Sequence, residues 1–248
     1  TAALEAVKDV ASLGAFEVLG AGGGASEDSI GLVHTLGYIA KLRLTRGRKV
    51  RLDADTVASE CSYDAALAAA GCVIAAAETA LGVGRNPSFA RSFAIVRPPG
   101  HHAMPDRAMG FCLLNNIAIA ARHVQRHHGA RRVAIVDFDV HHGNGTQAIF
   151  EADPSVLFIS SHQGGDFYPG TGLARETGTA DGLGATLNFP VPAGSGDDVL
   201  TAFYSTIVPE RVEAFAPQLI LVSAGYDLHD RDPVGGLSVT DQGVSTIA

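Results

Sequence analysis

Cysteine is scarce in this chain, with only Cys61, Cys72 and Cys112 in 248 residues. No CxxC pair links them, so they make neither a disulfide framework nor a zinc knuckle. A reducing compartment is the simpler setting, and a cytoplasmic location is expected. Long apolar runs are missing too. None approaches the about 20 residues of a membrane span, and no secretory signal opens the chain. The sequon Asn144-Gly145-Thr146 would matter only in a secreted protein and reads as chance. Positive charge is short: the formal net charge is −8, with no basic stripe to follow a phosphate backbone. Direct nucleic-acid and membrane partners are therefore not expected. The acidic surface reads first as ordinary solubility, although it would also attract cationic substrates such as lysine peptides or polyamines. No GxSxG is present, so a serine hydrolase is not supported. There is no internal repeat and no linker; Ala21–Ser26 reads as one flexible turn.

What is present is apolar: 46% of the residues are hydrophobic, enough for one large core and a single domain over 1–248. The chain starts at Thr1 rather than Met and stops inside a helix-like stretch from Thr240, so a longer protein truncated at both ends is expected. Helical pieces are expected around Leu4–Leu13 and Leu32–Leu44. A strong Ala-rich helix follows from Ser62, as its cap, to about Leu81, with Gly82 as the stop. Further helices are expected over Asn116–His128, ending at Gly129, over Gly145–Phe150, and over Asp197–Phe215 with an interruption at Pro209. Strands are expected at 92–96, 132–138, 155–160, 185–191 and 218–224, with a Gly-rich loop over 163–184. Alternating strands and helices mean an α/β fold with a mainly parallel central sheet and helices on both faces.

The chemistry gathers where apolar runs end. Val133–Val136 leads into Asp137-Phe138-Asp139-Val140-His141-His142. Leu219–Val222 leads into Ser223-Ala224-Gly225-Tyr226-Asp227, and Phe93–Val96 leads into Arg97-Pro98-Pro99-Gly100-His101-His102. Ligand sites in parallel sheets form beyond the carboxyl ends of the strands, so these residues should meet at one edge. Alternate strand residues point the same way, which lets Asp139 and His141 grip one ion, with Asp137 a step deeper and Asp227 joining from a neighbouring strand. Two carboxylates and one imidazole leave coordination positions open, as in a catalytic metal site, and suit zinc or ferrous iron. The plain alternative makes Asp137 and Asp139 caps of the following turn, but buried strand-end carboxylates are costly without a cation. His101 and His102, held by a stiff turn, could supply a base and an acid. His127-His128 has no such strand before it and reads as a surface pair at a helix end.

The stretches RPPGHHA (97–103), GFCLLNN (110–116), VDFDVHHGNGTQ (136–147), FYPGTG (167–172), VSAGYD (222–227) and DPVGGLSVT (232–240) resemble the histone deacetylase superfamily. They span more than half the chain in the family's order. Asn144 and DPVGGLSVT are most similar to the class II enzymes and their bacterial amidohydrolase relatives. The resemblance implies the arginase–deacetylase α/β fold and zinc-dependent hydrolysis of an acetyl amide on a lysine-like amine. It matches Asp139, His141 and Asp227 to the zinc ligands and His102 to the general base and acid, with His101 beside it. Asp137 then orients His101, and Asn144 orients His102. Gly110, Phe111 and Tyr168 match the walls of the acyl-lysine tunnel, and Asp55 loosely matches a rim carboxylate. A potassium ion is implied near Asp137, Asp139 and His141, with Ser160 and Ser161.

The resemblance also implies a transition-state-stabilising tyrosine in a Gly-Gly-Tyr turn beyond DPVGG. Residues 1–248 hold no such turn; losing one oxyanion donor costs about 100- to 1000-fold in rate. The family's first strand and opening loop are likewise expected before Thr1. Two rivals stay open beside the acetyl-lysine substrate: an acetylpolyamine or small-ester hydrolase with the same metal site, and a catalytically weak acetyl-lysine binder. Tyrosine at the implied position supports the enzyme, histidine the binder. A two-manganese ureohydrolase is disfavoured because its signature is DxHxD, whereas this chain has DxDxH. Self-association is left open.

Overall fold

The computed structural model describes residues 17, 18, 20, 22–83 and 91–248; the helical piece expected around Leu4–Leu13 lies outside them. Two short helices come first, α1 (Glu27–Gly31) and α2 (Leu36–Arg43). Each starts at a side-chain cap, Ser26 and Thr35; α2 is the piece expected around Leu32–Leu44, and α1 precedes it. A two-residue hairpin, β1 (Val50–Arg51) with β2 (Val57–Ala58), precedes the long helix α3 (Ser62–Ala80). Then come α4 (Asn116–His128), β3 (Val133–Asp137), α5 (Asn144–Phe150), β4 (Val156–Gln163) and β5 (Thr186–Val191). The described chain closes with α6 (Asp197–Ala202), α7 (Val208–Phe215), β6 (Leu219–Ser223) and α8 (Asp241–Ile247).

The central sheet is parallel, in the order β5-β4-β3-β6. Strand parity divides its core. Val133, Ile135, Val156, Phe158, Leu219 and Leu221 face one way, onto the alanines of α3 and the apolar side of α4. Ala134, Val136, Leu157 and Ile159 face the other way, onto Phe203 and α7. Helices therefore cover both faces, as the alternation of elements implies. Helix α3 is long and apolar enough to cross a membrane by length and composition, which a search for uninterrupted apolar runs passes over. Its small residues Ala66, Ala70 and Ala77 are buried in the core it shares with α4.

Three local expectations are corrected. Residues 92–96 form no strand, so the central sheet gains no member there. Ser92, Phe93, Ala94 and Val96 instead line a cavity of about 710 Å³ together with Ile220–Ser223 of β6. Along that edge Ile220 and Val222 stay half exposed. Ser62 does not cap α3: Cys61 holds the cap position without a side-chain bond, while the Ser62 hydroxyl accepts from the Ser59 N–H at 2.8 Å. Nor does Pro209 break the 197–215 stretch where it stands. It lies in the first turn of α7, and the irregularity precedes it as a π-helical turn at Phe203–Ile207.

Candidate active site

Strands β3 and β6 are neighbours, with Asp137 opposite Ser223, so the loops that follow them leave one edge side by side. The first loop carries Asp139 and His141, the second Asp227. His141 Nδ1 lies 3.0 Å from Asp139 Oδ1 and 3.0 Å from Asp227 Oδ2. One donor atom from each of the three residues falls within 4.8 Å of the others. Backbone donors aim the carboxylates: the His141 N–H reaches Asp139 Oδ1 at 2.8 Å, and the Val140 N–H reaches Asp227 Oδ1 at 3.0 Å. Asp139 and His141 are past the end of β3, so these loop hydrogen bonds, rather than strand pleat, bring them together.

The electrostatics of this cluster call for a cation. Burial pulls the His141 pKa down, but the hydrogen bonds and charges of Asp139 and Asp227 outweigh it and lift the value to about 9. Burial likewise works against an ionised Asp139, yet His101 and His141 hold its pKa well below the usual carboxylate range. Asp137, fully buried, is pushed up by desolvation. Two carboxylates and an imidazole converging on one point suit a divalent ion of borderline softness, and three protein donors leave positions open. The residues fit zinc. Gly225 leaves the room: a Cβ there would lie 2.1 Å from Asp139 Oδ2.

The two adjacent histidines stand beside this cluster on a loop, with ring centroids 4.0 Å apart. His101 Nδ1 meets Asp137 Oδ2 at 3.0 Å, and His102 Nδ1 meets Asn144 Oδ1 at 2.7 Å. The amide nitrogen of Asn144 faces the sulfurs of Met104 and Met109, so its oxygen is the atom offered to His102. Burial lowers the His101 pKa, but Asp137 and Asp139 more than restore it, to about 9. His102 moves the other way, driven far down by burial and then by the positive charge of His101. One imidazole is thus held charged and its neighbour neutral. Since an amide oxygen can only accept, His102 donates from Nδ1 and keeps the Nε2 lone pair free.

A family model described as "Histone deacetylase domain" matches residues 2–248. The chain belongs to the histone deacetylase family. It is 43% identical over 224 residues to histone deacetylase 10, chloroplastic, of Oryza sativa subsp. japonica, covering 87% of this chain and 50% of that one. It is 38% identical over 237 residues to the histone deacetylase-like amidohydrolase of Pseudomonas aeruginosa, covering 95% of this chain and 61% of that one. Among solved structures, the HD domain of HDA15 superposes with a TM-score of 0.85 at 43% identity, over 92% of this chain and 66% of that chain. The chain thus spans about half the length of the first of these curated relatives.

Around the deacetylase-family cluster the remaining sequence candidates take graded positions. Tyr168 sets its ring edge-on to His102 at 5.2 Å and to His141 at 6.0 Å, directly over the cluster. Its hydroxyl pKa is raised by burial and by the Asp55 carboxylate, which accepts its hydrogen bond and so stands at the same rim. Phe111 is 64% exposed, at φ 63°, with its N–H donating to Thr56 Oγ1 at 3.1 Å, which ties it to the β1–β2 turn. Gly110 precedes it at φ 56°, and a Cβ there would come within 2.2 Å of the His102 ring. Ser160 pairs beside Asp137 across β3 and β4 and bonds His162 at 3.0 Å, while Ser161 bonds the Tyr204 hydroxyl at 2.8 Å. Both serines are buried.

Sequence reasoning missed two supports of the site. Phe167 stacks on His141 at 5.0 Å with rings 16° apart, fixing the plane of that imidazole; its place beside Tyr168 was the available signal. His34, on the turn between α1 and α2, is the other. Its Nδ1 lies 3.0 Å from the Met104 carbonyl, and its Nε2 accepts the Asn115 N–H at 3.0 Å. It thereby joins the histidine loop to the N-cap of α4, and nothing local in sequence marks it. Burial lowers its pKa from 6.5 to about 4, against hydrogen bonds that raise it. The folded state resists a proton that the unfolded chain takes up near 6.5. Stability from His34 is therefore whole above that pH and lost as pH falls toward 4, by about 3 kcal/mol in total. Urea midpoints of wild type and His34→Gln between pH 7 and 4 check this: the variant, which cannot titrate, should show the shallower decline.

Proposed function

We propose that this chain is the catalytic part of a zinc-dependent deacetylase that hydrolyses the acetyl amide of acetyl-lysine side chains. The observation that carries the reading is a three-donor cluster, Asp139, His141 and Asp227, beside a histidine held neutral with a free Nε2. Asp139, His141 and Asp227 would hold the zinc, whose chemistry when bound is to polarise the amide carbonyl and bring the pKa of a water to about 7. His102 takes a proton from the attacking water at Nε2 and returns it to the departing lysine amine. Asn144 keeps the tautomer that leaves Nε2 able to do so. His101, kept protonated by Asp137, supplies a fixed positive charge for the developing oxyanion.

Phe111 and Tyr168 form the walls against which the lysine stem packs while water is excluded, with Gly110 letting one wall approach. Asp55, at the rim with Tyr168, would accept from the backbone of a bound peptide. We assign a potassium ion to Asp137, Ser160 and Ser161, all three buried. A hydroxamate chelator should abolish turnover of a fluorogenic acetyl-lysine peptide by the protein. Turnover that persists at saturating hydroxamate overturns metal dependence. A higher kcat/KM for an acetylpolyamine or an aryl ester would change the substrate and leave the chemistry in place.

A further inference from the structure

A second group of metal-ligating side chains lies at the far end of α4. Helix α4 has 13 residues, about 20 Å of rise, and its N-terminus supports the histidine loop through Asn115. At its C-terminal end, His123 Nε2 and His128 Nε2 both point at one carboxylate oxygen, Glu78 Oε1 on α3, at 3.1 and 2.9 Å. One donor from each of the three residues lies within 4.8 Å of the others. His127, read from sequence as half of a surface pair, sets its ring 4.6 Å from that of His123.

From this geometry we infer a second binding site, for a first-row divalent transition ion such as zinc, built from Glu78, His123 and His128. Two imidazoles and a carboxylate are the donor set of such ions rather than of magnesium or calcium. Bonds of about 2.0–2.1 Å in tetrahedral array place neighbouring ligand atoms about 3.3 Å apart. The contacts to Glu78 Oε1 are a few tenths of an ångström shorter, so a small outward movement of the side chains admits the ion. Each Nε2 would offer its lone pair to the ion, with the ring proton carried on Nδ1. For His123 that atom already lies 3.4 Å from the Ser29 hydroxyl, an oxygen placed as metal-bound histidines require. Three protein donors leave a fourth position for water or His127. The ion would clasp α3 to α4, and its role is structural.

The test counts ions on the whole protein after chelation. Cobalt(II) is added back, bound metal is measured by equilibrium dialysis and visible absorption, and thermal midpoints are recorded at rising zinc. Wild type should bind two ions per chain, H123Q/H128Q one, and Asp139→Ala one. Adding H123Q/H128Q to Asp139→Ala should remove the last. Zinc should raise the thermal midpoint of Asp139→Ala but not that of the triple variant. If H123Q/H128Q fails to fold, Glu78→Gln keeps the shape and should also bind one ion. A bound-ion count that H123Q/H128Q leaves at the wild-type value, or an Asp139→Ala protein that binds none, overturns the proposal. The count stands whether or not the protein turns over acetyl-lysine.

Discussion

Replacing Gly225 with alanine should strip the metal from the active site and take turnover with it. A Cβ at this position would meet Asp139 Oδ2 at 2.1 Å and the Asp139 Cβ at 2.6 Å, deep inside van der Waals contact. Gly225 does not use a left-handed backbone, so alanine adds no conformational strain and the whole effect is that collision. Asp139 must swing away from His141, opening the three-donor cluster. Metal affinity should fall by at least about 100-fold, beyond what the loss of a supporting hydrogen bond costs. Zinc content after dialysis and kcat at rising zinc measure it. The variant should be zinc-poor and partly rescued by excess zinc. A zinc-replete, fully active Gly225→Ala would show that Asp139 is no ligand.

Gly110→Ala should separate the second half of the mechanism from the first. Its Cβ would fall 2.2 Å from His102 Cδ2 and 2.7 Å from Cγ, and φ of 56° adds backbone strain. The imidazole must turn, which breaks its 2.7 Å alignment with Asn144. The Asp139, His141 and Asp227 cluster does not touch this contact. Zinc content should stay at the wild-type level while kcat falls by about 100- to 10,000-fold, the range of a lost general acid–base. Loss of zinc together with activity would mean that the two clusters are not mechanically separate.

These two glycines also show what the sequence could and could not disclose. The apolar runs Val133–Val136 and Leu219–Val222 reveal strands of the parallel sheet, β3 buried on both faces and the edge strand β6 on one, and parallel pairing brings their ends together. The residues just past those ends therefore announce a site. Phe93–Val96 carries the same local signal yet forms no ladder, since strand pairing is decided by a neighbour and not by the run itself. The β1–β2 hairpin, two residues to a strand, is too short to leave a period. His34 touches Met104 and Asn115 across 70 and 81 positions, a contact that only the folded chain makes. Glu78 and His128 are likewise 50 positions apart. Within the candidate site, residue types and order were legible. The collisions that force glycine at 110 and 225, and the opposite charge states of His101 and His102, needed coordinates.

On the proposed mechanism, Asp139, His141 and Asp227 hold a zinc on which acetyl-lysine hydrolysis depends. Zinc content and turnover of a fluorogenic acetyl-lysine peptide, measured on one sample of the full-length protein and on its Asp139→Ala variant, test it most directly. The wild type should turn over the peptide with zinc in its active site, and the variant should lose both. Turnover that survives Asp139→Ala, or a wild type whose zinc content the substitution leaves unchanged, would contradict it.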